Sequence, residues 1–417
     1  MATSLLIVVF ILGYLAIAFE HPLKIDKAAS ALLTGILCWV IYVFSADSEL
    51  VNSQLFHAFG DISEILFFLL GAMVIVEIVD AFEGFSLITD RITATNKVKL
   101  LWILGILTFF LSAVLDNLTT TIVMISLLRK LVDDKNDRLL FAGMIVIAAN
   151  AGGAWTVTGD VTTTMLWIKG KISVIGVMKT LLLPSLICLL VPLIILSFKM
   201  KGHVIRPVLN DNNEITIKPI HKKLILALGI GGLLFVPLFK HFTHLPPFMG
   251  ILFVLAVIWV VSEIINPQLD HLIRPATKVI SVLKNIDTSS ILFFLGILLA
   301  VGSLGATGLL QDLSSKLDVA IGDKNMIAVV IGFASAVVDN VPLVAAGMEM
   351  YAMPQDDSFW QFLAYCAGTG GSCLVIGSAA GVAAMGMEKM NFMWYLKKIS
   401  PLAIAGYMAG ALVYLCM

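Results

Sequence analysis

Residues 115–124 read LDNLTTTIVM and residues 338–347 read VDNVPLVAAG. Each stretch sets a carboxylate, Asp116 or Asp339, inside a long apolar run and follows it with Asn, Asn117 or Asn340; the two sites are 223 positions apart. The arms around the first carboxylate, 100–115 and 118–131, come to about 24 and 21 Å at the helical rise, each short of a hydrocarbon core of about 30 Å. Such arms either join into one interrupted crossing or fold back as a re-entrant hairpin. Which they do decides the topology of the chain.

The surroundings make membrane depth the relevant setting. Of 417 residues 59% are hydrophobic and only 13% charged, with a mean hydropathy of +0.99, whereas soluble domains carry roughly a quarter charged residues. The reading is an all-α polytopic membrane protein without a sizeable soluble domain. A net charge of −1 argues against nucleic acid and polyanionic partners. Cys38, Cys188, Cys366, Cys373 and Cys416 lie in apolar stretches without a CxxC pair, which reads as core packing, neither disulfide framework nor metal site. Ala16-Ile17-Ala18 mimics a signal-peptidase site, but the segment lacks a basic n-region and has a counterpart within the chain, so it reads as a helix.

The chain is a duplication. Phe19, His21 and Trp39 recur as Phe239, His241 and Trp259; SEILFFLLG at 63 recurs as SSILFFLG at 289, AVLDN at 113 as AVVDN at 336, and ANAGGAW at 149 as AGTGGSC at 367. The expected units are 1–200 and 222–417, joined by a cytoplasmic linker at 201–221 around the polar stretch LNDNNEITIKPIHKK. Each unit has plain spans (3–19, 28–44 and 62–82; 224–239, 248–264 and 288–310), a broken segment (100–131; 325–351), a Gly-interrupted segment (139–168; 361–388) and a last span (177–198; 399–417). If both broken segments are re-entrant, only Lys169, Lys171, Lys179, Lys240, Lys316 and Lys324 of the 27 Lys and Arg residues lie on one side. If both cross, the division is nearly even, so the positive-inside rule favours re-entrant hairpins. Five crossings per unit then invert the second copy. The expected architecture is about ten spans plus two re-entrant hairpins in inverted repeats, the plan of secondary transporters.

Four breaks should converge: the Asp116 and Asp339 tips and the unwound stretches 148–164 and 367–381. Non-helical backbone is tolerated at membrane depth only when buried in protein or lining a watered cavity. Its carbonyls, with Asn amides and Ser or Thr hydroxyls, are hard oxygen donors, and Asp116, Asp160 and Asp339 make the set acidic, which suits Na⁺ or Li⁺. An unpaired intramembrane carboxylate must hold a cation or take up a proton, so H⁺ and Na⁺ would occupy the site exclusively. An Asp opening the second arm of a hairpin is also an ordinary N-cap. Duplication with Asn following both times favours a site, because capping alone needs no charge. Gly152-Gly153 and Gly370-Gly371 read as unwinding points or as close-packing glycines.

Asp160 has Ser378 as its counterpart, so it is the acid most specific to this chain. Asn150 and Thr369, read as a pair matched by the same offset of 218, are further side-chain candidates. Ser112 and Ser335 sit one turn before Asp116 and Asp339 and serve either as ligands or as hydrogen bonds to their own helix. Glu64, Glu77 and Asp80 share one span; Glu64 reads as part of a solvated mouth in preference to a proton relay. The histidines fall at span edges or in loops and carry no role.

The motifs LDNLTTTIVM, AANAGGAWTVTGDVTTTMLW, VVDNVPLVAAGMEMY and GTGGSCLVIGSAAGVAAMG resemble the NhaD-type sodium/proton antiporters of the ion transporter superfamily over essentially the whole chain. The resemblance implies Na⁺ (Li⁺)/H⁺ exchange with no cofactor, in a bacterial inner membrane, by a homodimer with a scaffold and a transport part. It maps the ion- and proton-binding set to Asp116, Asn117, Asn150, Asp160, Thr162, Thr163, Asp339 and Asn340, with Thr369, Ser372 and Ser378 as second-copy equivalents. To these the residue reading adds Ser335, and Ser112, Thr119 and Glu64 as possible members. Relatives that carry carboxylates have a Ser-Asn-Thr type signature at these tips; Asp in place of Ser would repel an anion. The rivals are an arsenite or carboxylate transporter of the same superfamily, and an intramembrane aspartyl protease prompted by Gly159-Asp160. The protease needs two carboxylates sharing one proton, whereas this chain offers three, two of them related by duplication.

Overall fold

The computed structural model describes residues 2–89, 91–207 and 217–417; residues 208–216 of the expected linker lie outside the described residues. Helices account for the fold, and among the described residues the one β feature is a bridge between Asn96 and His203. The first half contributes α1 (Ala2–Ala18), α2 (Lys27–Val43), α3 (Ser48–Ala81), α4 (Lys97–Leu115), α5 (Asn117–Leu131), α6 (Lys135–Gly153), α7 (Val161–Ile168) and α8 (Val174–Lys199). The second contributes α9 (Pro219–Thr243), α10 (Pro247–Ile265), α11 (Thr288–Ala306), the amphipathic α12 (Leu309–Ala320), α13 (Lys324–Ala334), α14 (Asn340–Met350), α15 (Ser358–Gly370), α16 (Ala379–Glu388), α17 (Phe392–Lys398) and α18 (Ser400–Cys416).

Side-chain caps start most of these helices. Asp26, Asp47, Asn96, Asp134 and Ser173 in the first half, and Asp287, Asp323 and Asp357 in the second, accept a first-turn N–H. Each satisfies a donor that helix geometry leaves unpaired. Six described helices (α3, α4, α8, α9, α10 and α11) are long and apolar enough to cross a membrane, and a seventh span results if α17 and α18, bent by 51°, count as one. Helix α4, read from sequence as a short arm, is 19 residues long and belongs to these six. The other arms of the broken segments, α5, α13 and α14, are 11 to 15 residues long.

Packing follows the duplication. Helix α2 lies against α11, and its counterpart α10 against α3; α5 meets α16, and α14 meets α7; α4 meets α6, and α13 meets α15. Glycine makes several of these crossings possible. A Cβ on Gly152 would stand 2.2 Å from the Phe109 carbonyl oxygen, and on Gly370 2.1 Å from that of Gly332, the same contact in the two halves. Both expectations for the Gly pairs therefore hold in part. Gly152 and Gly370 are close-packing residues within helix, and the backbone unwinds after the first pair, over 154–160, and from Gly371 in the second, over 371–378, shorter than the expected 148–164 and 367–381. Two groups result: α1, α2, α3, α9, α10 and α11 pack together, α4–α8 pack with α13–α18, and the seam runs through α11–α14, α3–α7 and α9–α4.

The two ends of each broken segment lie near one another. The stretch after α8 bonds to the entrance of α4 (Val204 N–H to the Thr95 carbonyl, 2.8 Å; Lys97 N–H to the Gly202 carbonyl, 3.1 Å) and to the exit of α5 (Asp133 N–H to the Ile205 carbonyl, 2.9 Å). In the second half the Lys324 ammonium, at the start of α13, lies 5.7 Å from the ring centroid of Tyr351, at the end of α14.

Candidate functional site

Four half-helices begin at one place, and the residue before each is one of the chemistry-bearing residues. Asp116 caps α5, Asp160 caps α7, Asp339 caps α14 and Ser378 caps α16, accepting N–H bonds from Thr119, Thr162, Val341 and Gly381. The capping expected of an Asp at the start of a second arm is therefore present at each of these positions. The same oxygens that terminate a helix face the gap between helices, and the preceding helices α4, α6, α13 and α15 end there with carbonyls free of helical partners.

Asp160 is the hub. It is buried, at 1% exposure, and its Oδ1 accepts from the Thr162 N–H and hydroxyl, both at 2.8 Å. Its Oδ2 accepts from Asn117 Nδ2 at 2.8 Å, and Asn340 Nδ2 lies 3.3 Å from both oxygens. The Asn of each tip thus turns to the one acid of the unwound stretches. Asn117 Nδ2 also donates to Asn150 Oδ1 at 2.9 Å, and Asn150 Nδ2 donates to Ser372 and Ser378 at 2.8 and 2.9 Å. This chain of side chains crosses from the first half to the second. In the 218 register Asn150 is matched by Gly368, not by Thr369, so the Asn has no equivalent and the network is asymmetric.

Asp116 and Asp339 flank the hub and are half-buried. Asp116 holds Thr119 through both its N–H and its hydroxyl, each at 2.8 Å. Its φ of +94° is a conformation that non-glycine residues rarely adopt. Asp339 accepts the Val341 N–H at 3.2 Å with an unstrained φ of −49°.

The remaining candidates are near but differently engaged. Ser112 and Ser335 donate to the Ala149 and Ala367 carbonyls at 2.6 and 2.7 Å, tying α4 to α6 and α13 to α15 in the same way; neither bonds its own helix. Thr163 donates to the Asp160 carbonyl and Thr369 to the Tyr365 carbonyl, at 2.9 and 2.6 Å. Glu64 lines neither of the cavities described next.

An inner cavity of about 60 Å³, room for an ion or one or two waters, is lined by Asp116, Asn117, Thr119, Asp160 and Asp339. Among the described residues the three carboxylates do not converge as a common ligand set; an occupant would be shared between Asp160 and the amides or hydroxyls around it. A larger cavity of about 440 Å³ adjoins it, with Glu20, Asp26, Glu77, Asp80, Asp287 and Asp339 on its walls. Glu77 and Asp80, whose depth the sequence leaves open, therefore line the larger cavity. Lys27, Ser290, Thr158 and Thr164 also line these spaces. The sequence offered one signal for Ser290, its alignment with Glu64, and none for Lys27, which reads as an ordinary loop charge.

Discontinuous helices meeting at a buried acidic cavity inside a multi-span bundle define a secondary transporter of the membrane. The profile of the family described as "Citrate transporter" matches residues 14–358. Sodium/proton antiporters 1 and 2 of Arabidopsis thaliana are 51% and 49% identical over 98% of this chain, covering 71% and 98% of their own lengths. The Na⁺/H⁺ antiporter NhaD of Vibrio cholerae is 30% identical over 99% of this chain and 91% of its own. The chain belongs to this transporter family, and within it to the NhaD-type sodium/proton antiporters.

Proposed function

We propose that the protein exchanges cytoplasmic Na⁺ or Li⁺ for external H⁺ by alternating access. The observation that carries this is Asp160: a buried carboxylate held by the Asn of both tips beside a cavity of ionic size. The occupants that suit such a site are a small cation or a proton, each excluding the other. Asp116 and Asp339 flank it and can take up the protons that an arriving Na⁺ displaces. The tips are read as re-entrant hairpins in inverted repeats, with the basic side cytoplasmic. Supporting this, the entrance and exit of each broken segment lie together. The larger cavity, walled by the end of α3 and the start of α11, then opens to the cytoplasm, and a shift along the seam between the helix groups would open the other face. In a bacterial inner membrane the proton-motive force would drive export, and a homodimer would pair the scaffold groups. Ion occupancy biases the two orientations only through its differential affinity for them.

The family's description as "Citrate transporter" favours a carboxylate as the alternative cargo, while a lining rich in acids opposes an anion. Proteoliposomes with an acid lumen and an internal pH dye decide between them. Lumenal alkalinisation on adding Na⁺ or Li⁺, lost in Asp116→Asn, Asp160→Asn and Asp339→Asn, supports exchange. Uptake of labelled citrate, with no cation-driven dye signal from intact wild type, would reverse the conclusion.

A further inference from the structure

The two cavities meet at a neck formed by residues that line both, among them Lys27, Thr119, Ser290 and Asp339. Lys27 is the one basic residue among the described residues lining either space, whereas several carboxylates line them. It makes no ion pair with any of them; its ammonium rests 4.7 Å from the centroid of the Phe293 ring. Lys27 opens α2, which packs on α11 in one helix group, whereas Thr119 and Asp339 belong to the tips in the other. A cation is therefore fixed to one side of the seam and faces the acids of the other.

We propose that Lys27 is a tethered competitor for the transported cation: its ammonium occupies the neck when Na⁺ is absent, and it sets the affinity for Na⁺ entering from the larger cavity. This inference rests on the exchange reading above. A long flexible stem lets the charge swing between the carboxylates and the Phe293 face, where a cation–π contact offers it a second resting place. A unit charge within about 6 to 10 Å, at the effective dielectric of a watered site, changes the affinity for another cation by roughly three- to tenfold. Removing it should tighten Na⁺ binding, the opposite of what damage to the fold would do. Relative sliding of the two groups would carry Lys27 away from Asp339, so the competition would act in one orientation only. Lys27 is a specificity-setting residue, not an ion ligand.

The test compares wild type, Lys27→Gln, Lys27→Arg and Lys27→Cys (with Cys416→Ser) by Na⁺-dependent exchange in proteoliposomes. Lys27→Gln should lower the KM for Na⁺ roughly three- to tenfold and lower the maximal rate with it, because tighter Na⁺ leaves more slowly. Lys27→Arg should hold the wild-type KM. In the Cys variant, attaching an aminoethyl group through a disulfide should raise KM, and attaching a neutral group of similar size should not, within one folded preparation. A KM in Lys27→Gln within twofold of wild type, or an equal response of the Cys variant to both reagents, would overturn the role of Lys27 while leaving exchange intact. An Arg variant that shifts KM as Gln does overturns it as well. Absence of Na⁺-driven exchange in wild type would remove the exchange reading itself.

Discussion

At the scale of single residues the site is a hydrogen-bond problem as much as a charge problem. Asp160 must accept from Thr162, Asn117 and Asn340 at once, and bonds of this charge-assisted type stabilise by about 1.5–3 kcal/mol each. If Na⁺ or H⁺ occupies this point, Na⁺ should raise the melting temperature of the detergent-solubilised wild type by mass action and leave Asp160→Asn unmoved; equal stabilisation of both would place the ion elsewhere. Asn150 tests the network separately. It links Asn117 to Ser372 and Ser378, so Asn150→Ala strips buried partners from both halves and should destabilise by about 2–3 kcal/mol, read as a lowered melting temperature without added Na⁺. The pairing of Asn117 with Asn150 was not legible in the sequence, since the residues are 33 positions apart and no local pattern links them.

At the scale of elements, the fit of a glycine-ended helix against the first arm of the neighbouring broken segment occurs twice. Phe109 and Gly332 present carbonyls to Gly152 and Gly370, while the Ser112 and Ser335 hydroxyls bind the same pairs of helices. Gly152→Ala and Gly370→Ala should each be severe, costing about 3 kcal/mol or more, since neither backbone can yield without shifting a helix. Gly386→Ala, at a helical position with nothing within 4 Å of the added atom, should be neutral or favourable by up to about 1 kcal/mol. Fluorescence-detected size-exclusion profiles after graded heating distinguish these. Comparable losses at Gly386 would mean that helix crossings are not what the glycines serve. The glycine pairs were visible in the sequence, but the distinction between packing and unwinding was not, because it depends on which carbonyl lies opposite.

At the scale of the whole molecule, the halves are joined both at the site and at its periphery. Glu388, at the end of α16 and nearly fully buried, pairs with Arg129 and Arg138 of the first half at 2.8 and 3.1 Å. Removing a buried carboxylate from two arginines leaves charge without a partner; because both arginines reach solvent, Glu388→Ala should cost about 2–3 kcal/mol, seen as earlier thermal unfolding. Orientation has its own test. Ser289 lines the larger cavity, so Ser289→Cys in a Cys416→Ser background should react with a membrane-impermeant maleimide from the cytoplasmic face and not from the outside. Labelling from the outside alone would invert the topology assigned from Lys and Arg.

The sequence by itself determined the membrane setting, the duplication, the helical breaks and the identity of the acids, because apolar content, self-similarity and Asp-Asn tips in apolar runs are local properties of a chain. Helix starts were less legible: the span expected at 62–82 begins at Ser48, capped by Asp47. Only the tertiary structure decided that both tip asparagines turn to Asp160, that Ser112 and Ser335 tie helices together, that Glu64 stands apart and that Lys27 stands at the neck. Those outcomes depend on which helices cross and how closely. In this chain the crossings are fixed by contacts between residues far apart in sequence, such as Gly35 on the Gly296 carbonyl and the Trp39 indole on that of Leu299. Periodicity and spacing carry no information about such distant pairs.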